Sequence, residues 1–92
     1  YVESQGHEQC LHMIGWSKEE LYTRLTMAQL EELLFPQGFL RIHKRFLVNM
    51  AYLQSLQSTG AVLTTGNSLK ASARNYRENQ QKFVDWKTQQ IW

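Results

Sequence analysis

The chain of 92 residues is long enough for one small domain and too short for two. Hydrophobic residues make up 42% and charged residues 20%, so an apolar core is feasible and general disorder is excluded. A membrane helix needs roughly 20 apolar residues, whereas runs such as Leu33-Leu34-Phe35 are short, and no secretory signal opens the chain. The single cysteine, Cys10, cannot form an internal disulfide, which fits a reducing compartment such as the cytoplasm.

The net charge of +2 is unevenly distributed along the chain. No Asp or Glu lies between Leu33 and Arg77, and the cations of this stretch are Arg41, Lys44, Arg45, Lys70, Arg74 and Arg77. Phosphate groups attract Lys and Arg and are repelled by carboxylates. The acid-free stretch therefore predicts a polyanionic partner, with a locally basic, solvated surface as the alternative.

The first quarter of the chain predicts strands joined by turns. Tyr1–Ser4 reads as the end of a strand, Gln5–His7 as a turn and Glu8–Ile14 as the next strand. Gly15–Lys18 predicts another turn, and Glu19–Leu25 alternates as a strand does, although a helix is the alternative there. Because the chain opens inside a predicted strand, we expect a fragment whose upstream strand is missing.

A short amphipathic helix follows. Thr26 can accept a hydrogen bond from the first helical turn, and Gln29, three residues later, completes a capping box. Three leucines follow at helical spacing, and Pro36 then ends the pattern. The sequence therefore predicts a helix over Met27–Phe35.

The remaining chain predicts several short strands and then a second helix. The predicted strand segments are Phe39–His43, Phe46–Val48, Ala51–Leu56, Ala61–Thr64 and Leu69–Ala73, with a two-residue Gly66-Asn67 hairpin turn before the last. Aromatic residues near helical spacing predict a helix over Asn75–Gln90. The expected fold is mainly β (α+β minor): an elongated, several-stranded antiparallel domain with one short helix after Thr26 and a C-terminal helix.

The candidate nucleic-acid contacts fall in two groups within the basic stretch. Arg41 and His43 project from one face of a predicted strand, and Lys44 and Arg45 lie at its end. The second group lies at period two along the last predicted strand and comprises Lys70, Ser72 and Arg74. Long cations beside a hydroxyl suit contacts to both phosphates and base edges.

Metal and catalytic sites are not indicated. Cys10 and His12 share a strand face, but no CxxC or HxxxH pair completes a zinc site. Cys10 with a histidine would need a third, orienting group, and no nucleotide-binding or hydrolase motif occurs. We therefore expect no enzyme activity, no metal and no cofactor. The tryptophans could stack on bases, but packing is the simpler reading for Trp16, Trp86 and Trp92.

Five stretches, in order, resemble motifs of the LytTR-type DNA-binding domain of bacterial response regulators. Tyr1–Ser4 resembles the opening "YIES", residues 25–31 resemble the "tLxELE" helix, and residues 39–49 resemble "FxRIHRSxLVN". Thr65-Gly66 stands where "DG" is usual, and residues 71–74 match the "vSxR" ending. Together they place a LytTR-like domain over 1–76, followed by a helical extension over 77–92.

The resemblance implies a mechanism as well as a fold. Such domains follow a receiver domain and bind direct repeats in duplex DNA, using loops in successive major grooves. By motif position, Arg74 would be the main base-reading arginine, Lys44 would reach bases or phosphates, and Ser72 would hold the backbone. The loop after Glu3-Ser4, from His7 to Gln9, would add a further contact. Arg45 departs from the family pattern, which has serine there.

The predicted function is therefore sequence-specific binding of double-stranded DNA by a cytoplasmic bacterial transcription regulator. The full-length protein would be a two-component response regulator carrying an upstream receiver or sensor domain, able to form a homodimer on DNA. The alternative is a protein-interaction or dimerisation module whose contact is the aromatic C-terminal helix, through Phe83 and Trp86. RNA binding by the same basic faces is a third hypothesis.

Overall fold

The computed structural model describes residues 1–12 and 21–91 as two antiparallel sheets and two α-helices. The predicted turn at Gly15–Lys18, and parts of the two strands predicted around it, lie outside these residues. The strands are β1 (Val2–Gln5), β2 (Glu8–Leu11), β3 (Leu21–Thr23), β4 (Phe39–His43), β5 (Phe46–Asn49), β6 (Leu53–Leu56), β7 (Gly60–Leu63) and β8 (Ser68–Lys70). The helices are α1 (Met27–Leu34) and α2 (Tyr76–Ile91), with 3₁₀ turns over Phe35–Gln37, Met50–Tyr52 and Ala73–Asn75. The mainly β fold with a minor helical part is confirmed.

The first sheet has five strands in the order β3-β2-β1-β5-β4. Its first hairpin turns at Gly6-His7, where Gly6 has a φ of 65° and supplies the backbone conformation that other residues rarely adopt. In the other hairpin, the register of β4 against β5 shifts by one residue between Arg41 and His43. This bulge lies directly before the Lys44-Arg45 turn, and a bulge changes the direction in which nearby side chains point.

Helix α1 begins as predicted. The Thr26 hydroxyl accepts from the Gln29 backbone N–H at 3.1 Å, and the Gln29 side chain accepts from the Thr26 N–H at 2.8 Å. This reciprocal pair satisfies two backbone donors that a helix start leaves open. The helix ends at Leu34, one residue before the predicted Phe35, because Pro36 lies in a 3₁₀ turn.

The second sheet has the order β6-β7-β8, and its last hairpin differs from the prediction. Gly66 has a φ of 94° and donates its N–H to the Leu63 carbonyl, while the Leu63 N–H donates to the Asn67 carbonyl. A two-residue type I′ turn would need positive φ at Asn67 as well, and no described residue other than glycine has one. The turn is instead a longer one in which Gly66 alone takes the left-handed conformation.

The strand predicted over Leu69–Ala73 is shorter in the structure and ends at Lys70. The Ser72 N–H donates to the Ile42 carbonyl at 2.7 Å, so the chain leaves the second sheet and joins the edge of β4. A 3₁₀ turn over Ala73–Asn75 follows at once. The prediction that Lys70, Ser72 and Arg74 share one strand face was therefore wrong.

Two apolar clusters lie on opposite faces of the five-stranded sheet. The smaller one is covered by α1 and contains Val2, Met27, Leu30 and Leu47. The larger one fills the space between the two sheets and contains Leu40, Ile42, Val48, Met50, Leu53, Leu56, Ala61, Leu63, Leu69 and Phe83. The described residues extend 33 × 28 × 23 Å along the principal axes, a modest elongation.

Helix α2 is built into the larger cluster. Phe83 is only 2% exposed there, and Trp86 packs against the same cluster beside Gly38. Gly38 has a φ of 91°, which residues with a side chain rarely adopt, and a Cβ atom there would crowd Trp86 Nε1 at 3.0 Å, so this position favours glycine. The alternative hypothesis assigns Phe83 and Trp86 to a partner contact. In the structure Phe83 is buried and Trp86 is half-buried against the same cluster, so Phe83 is not available on the surface, and dimerisation through α2 stays a prediction.

Candidate nucleic-acid interface

The β1–β2 turn and the β4–β5 turn lie at the same end of the five-stranded sheet. Strands β1 and β5 are antiparallel, and the Ser4 N–H donates to the Arg45 carbonyl at 2.8 Å. The Arg45 guanidinium also donates to the Ser4 carbonyl at 3.4 Å. Arg45 therefore joins the β4–β5 turn to the last residues of β1, and His7 lies exposed at the tip of the β1–β2 turn.

The β4–β5 turn is fixed by two side chains of β4, the strand that leads into it. Nδ1 of His43 accepts the Arg45 N–H at 3.1 Å, and the Arg41 guanidinium donates to the Lys44 carbonyl at 2.9 Å. These two bonds hold the backbone of the turn and leave the Lys44 and Arg45 side chains exposed. Exposed cations on a braced turn suit contact with a polyanion.

A cleft of about 520 Å³ opens beside this turn, between α1, β4 and the start of α2. We call it the basic cleft. Five of the predicted contact residues line it, namely Arg41, His43, Lys44, Ser72 and Arg74. The other lining residues are Glu31, Ile42, Asn75, Glu78, Asn79 and Lys82. The Ser72–Ile42 backbone bond accounts for this arrangement, because it brings the segment after β8 to the edge of β4.

Four cations and two carboxylates face one another in the basic cleft. Arg41 Nη1 lies 3.7 Å from Glu31 Oε1, and Lys82 Nζ lies 3.5 Å from Glu78 Oε1. No ion pair is found for Lys44 or Arg74 within the described part of the chain. The cleft therefore keeps a positive balance, concentrated near the β4–β5 turn.

The electrostatic environment holds His43 neutral near pH 7. Burial, followed by the positive charges of Lys44, Arg45 and Lys70, lowers the pKa of His43 below its usual 6.5. A neutral ring agrees with its geometry, because Nδ1 can accept the Arg45 N–H only when that nitrogen carries no proton. The remaining proton then sits on Nε2, which can donate to a base or a phosphate oxygen.

The other four predicted contact residues lie outside the lining of the basic cleft. Lys70 is exposed at the end of β8, near enough to His43 to influence its pKa. Arg45 and His7 lie on the two neighbouring turns. Gln9 differs from these, because its side chain is buried in β2 at 6% exposure.

Sequence reasoning missed the contribution of α1 and α2 to this site. Buried Asn79 donates its Nδ2 to the Arg41 carbonyl at 3.1 Å and so attaches α2 to the edge of β4. Glu78 and Lys82 stand four residues apart, which is a recognisable helix pair, but the spacing does not tell which surface the pair faces. Glu31 gave no signal, since its partner Arg41 lies on a different element.

An apolar cleft of about 650 Å³ lies at the opposite end of the five-stranded sheet. Its lining includes Tyr1, Leu11, Leu34, Phe39 and Tyr52. The surface near the basic turns and the surface at this end thus differ in chemical character. Within the described ranges, no three metal-ligating side chains gather closely enough to hold an ion, and no helix has the length and hydropathy of a bilayer span.

A basic cleft built from strand ends, a braced turn and a helix start on a mainly β scaffold is a surface suited to nucleic acid. The sequence profile of the LytTr DNA-binding domain family matches residues 1–83, and the chain belongs to this family. Domains of this family bind DNA in transcription regulators, and the family is not an enzymatic one. The match continues past Tyr76 into the first half of α2. Searches of the curated proteins and of the solved structures gave no match.

Proposed function

We propose that this domain binds specific sequences in double-stranded DNA, with the basic cleft and the two adjacent turns as its contact surface. The observation that carries the proposal is the convergence of Arg41, His43, Lys44, Ser72 and Arg74 on one cleft. That the domain binds DNA follows from its family. The proposal adds sequence specificity and the residues that provide it.

In the proposed mechanism, phosphates and bases are contacted by different residues. Arg74 lies exposed on a short 3₁₀ turn and is free of ion pairs among the described residues, so its guanidinium can pair with both acceptors of a guanine edge. Lys44, Arg45 and Lys70 contact phosphates, and Ser72 adds a hydroxyl donor to the backbone. His7 reaches DNA from the β1–β2 turn, whereas buried Gln9 is left out of the contact set.

The biological setting that fits this site is the output end of a cytoplasmic two-component response regulator. A receiver domain would precede the DNA-binding domain in the full-length protein, and two copies would bind direct repeats one helical turn apart. Packing of Phe83 inside the domain favours a DNA-contact surface over dimerisation through α2. Any homodimer would therefore form through DNA or through other surfaces.

The decisive experiment is selection of bound sequences from a random duplex-DNA pool by the purified protein. We expect enrichment of a short motif repeated about one helical turn, or 10–10.5 base pairs, apart. A parallel selection with the Lys44→Ala, Arg74→Ala double variant should yield no motif. Equal binding of every duplex, or preference for single-stranded RNA in direct competition, would refute the proposal.

A further inference from the structure

Two carboxylates line the basic cleft, although the stretch of sequence that supplies three of its four cations contains no Asp or Glu. The acid-free stretch from residue 33 to residue 77 lies between Glu31-Glu32 and Glu78. Glu31 and Glu78 line the basic cleft, one from α1 and one from α2. We propose that Glu31 and Glu78 are specificity determinants, which lower the affinity for non-specific DNA more than the affinity for the operator. This inference rests on the proposed DNA-binding function.

Glu31 acts through Arg41. The Arg41 guanidinium is held between Glu31 Oε1 at 3.7 Å and the Lys44 carbonyl at 2.9 Å, and its side chain is 29% exposed. The carboxylate thus keeps the guanidinium beside the turn that carries Lys44, at the edge of the contact surface. It also repels any phosphate that approaches Arg41 in a poorly fitting complex.

Glu78 has the matching position on the other wall of the basic cleft. Its Oε1 lies 3.5 Å from Lys82 Nζ, and Lys82 also lies 5.7 Å from the centre of the Phe35 ring. Lys82 is therefore engaged on two sides by groups of the domain itself. The Glu78 side chain is 67% exposed, so its negative charge stands open to an incoming phosphate.

The two kinds of complex respond differently to these charges. Non-specific binding depends on phosphate neutralisation, so a carboxylate near the phosphates weakens it directly. In the operator complex, base contacts fix the register of the DNA, and an Arg41 already held in place needs less ordering on binding. Repulsion is then offset in part by preorganisation, and the ratio of specific to non-specific affinity rises.

The test replaces each charge with its neutral isostere and compares it with a matched acid outside the basic cleft. Glu31→Gln is paired with Glu32→Gln, the exposed next residue of α1. Glu78→Gln is paired with Asp85→Asn, two turns further along α2, where the remaining oxygen can still accept from Gln81. Affinity for the selected operator and for a scrambled duplex is measured by fluorescence anisotropy across a range of salt concentrations.

For Glu31→Gln and Glu78→Gln we expect affinity for the scrambled duplex to rise about two- to fivefold, as for an exposed charge interaction, with a smaller gain on the operator. The dependence of log K on log salt should steepen by up to about 0.9 for each freed cation that meets a phosphate. The Glu32→Gln and Asp85→Asn controls should change both duplexes equally and by less.

The outcomes separate this inference from the proposed function. In one outcome the wild-type protein prefers the operator, but Glu31→Gln and Glu78→Gln behave like their controls. That result would overturn the role of Glu31 and Glu78 and leave DNA recognition intact. Equal gains on operator and scrambled duplex would also overturn it, because the specificity ratio would not fall. Failure of the wild-type protein to prefer any duplex would remove both proposals together.

Discussion

The larger apolar cluster and the basic cleft share two elements, β4 and α2, and differ in chemical character. In β4, Leu40 and Ile42 are buried in the cluster, while the side chains of Arg41 and His43 line the cleft. Helix α2 likewise buries Phe83 and leaves Glu78 and Lys82 at the cleft. The comparison teaches that core residues set the position of the residues that we propose as DNA contacts. Substitutions on the two sides should therefore separate stability from binding.

The largest effect should come from the core side. Phe83→Ala removes a side chain that is 2% exposed, and we expect the free energy of unfolding to fall by about 3–5 kcal/mol. Val84→Ala, at an adjacent position that is 43% exposed, should change it by less than about 0.5 kcal/mol. Urea denaturation of the two variants measures the difference. Equal, small losses would mean that α2 is a separable extension rather than part of the core.

Arg74→Ala tests the cleft side. Loss of a bidentate contact to guanine should weaken binding to the operator by about 1–3 kcal/mol and relax the preference at one base pair. The unfolding free energy should stay nearly unchanged, because Arg74 is exposed. Lys87→Ala, at an exposed cation in the second half of α2 and outside the lining of the basic cleft, is the control. A loss of the same size on scrambled DNA would contradict base reading by Arg74.

Local signals in the sequence were sufficient for the elements that local contacts determine. The capping box at Thr26 and Gln29 formed as predicted, since both partners lie within one helical turn. The alternation in Phe39–His43 correctly indicated a half-buried strand, because period-two burial follows from strand geometry. The DNA-binding family followed from motif order over most of the chain.

Features that depend on contacts distant in sequence could not be predicted in this way. The end of β8 at Lys70 depends on the bond from Ser72 to Ile42, thirty residues earlier. The burial of α2 depends on a glycine at position 38 that admits Trp86. For the same reason, no local pattern indicated that Glu31 and Glu78 would meet across one cleft. The candidate site residues were predicted from local charge and from motif position, and only the fold showed which of them lie together.

Lys70→Ala should have a smaller effect than Arg74→Ala and one of a different kind. Lys70 lies at the end of β8, outside the lining of the basic cleft, and a phosphate contact carries no sequence information. We expect operator and scrambled duplex to lose affinity alike, with a salt dependence flatter by about 0.9. Salt titrations of the variant and the wild-type protein provide the measurement. A loss confined to the operator would place Lys70 among the base-reading residues.

The smallest effect should come from His43, which belongs to the shared strand and faces the cleft. Its pKa is lower in the folded protein than the usual 6.5 of an unfolded chain, mainly through burial and then through Lys44, Arg45 and Lys70. The unfolded state therefore binds more protons between these two pKa values. The contribution of neutral His43 to the free energy of unfolding is therefore complete above pH 6.5 and is lost as the pH falls through the lowered pKa.

His43→Asn isolates this contribution, because asparagine can still accept the Arg45 N–H but does not titrate. Urea denaturation at pH 7.5 and pH 5.5 should show a greater loss of stability on acidification for the wild-type protein than for the variant. Each protein is compared with itself, so the loss of the His43–Phe46 ring contact cancels. His7 and His12 are common to both proteins and cancel as well. An identical response would mean that folding does not disfavour the charged imidazole, and the Arg45 bond would then have to be held by another acceptor.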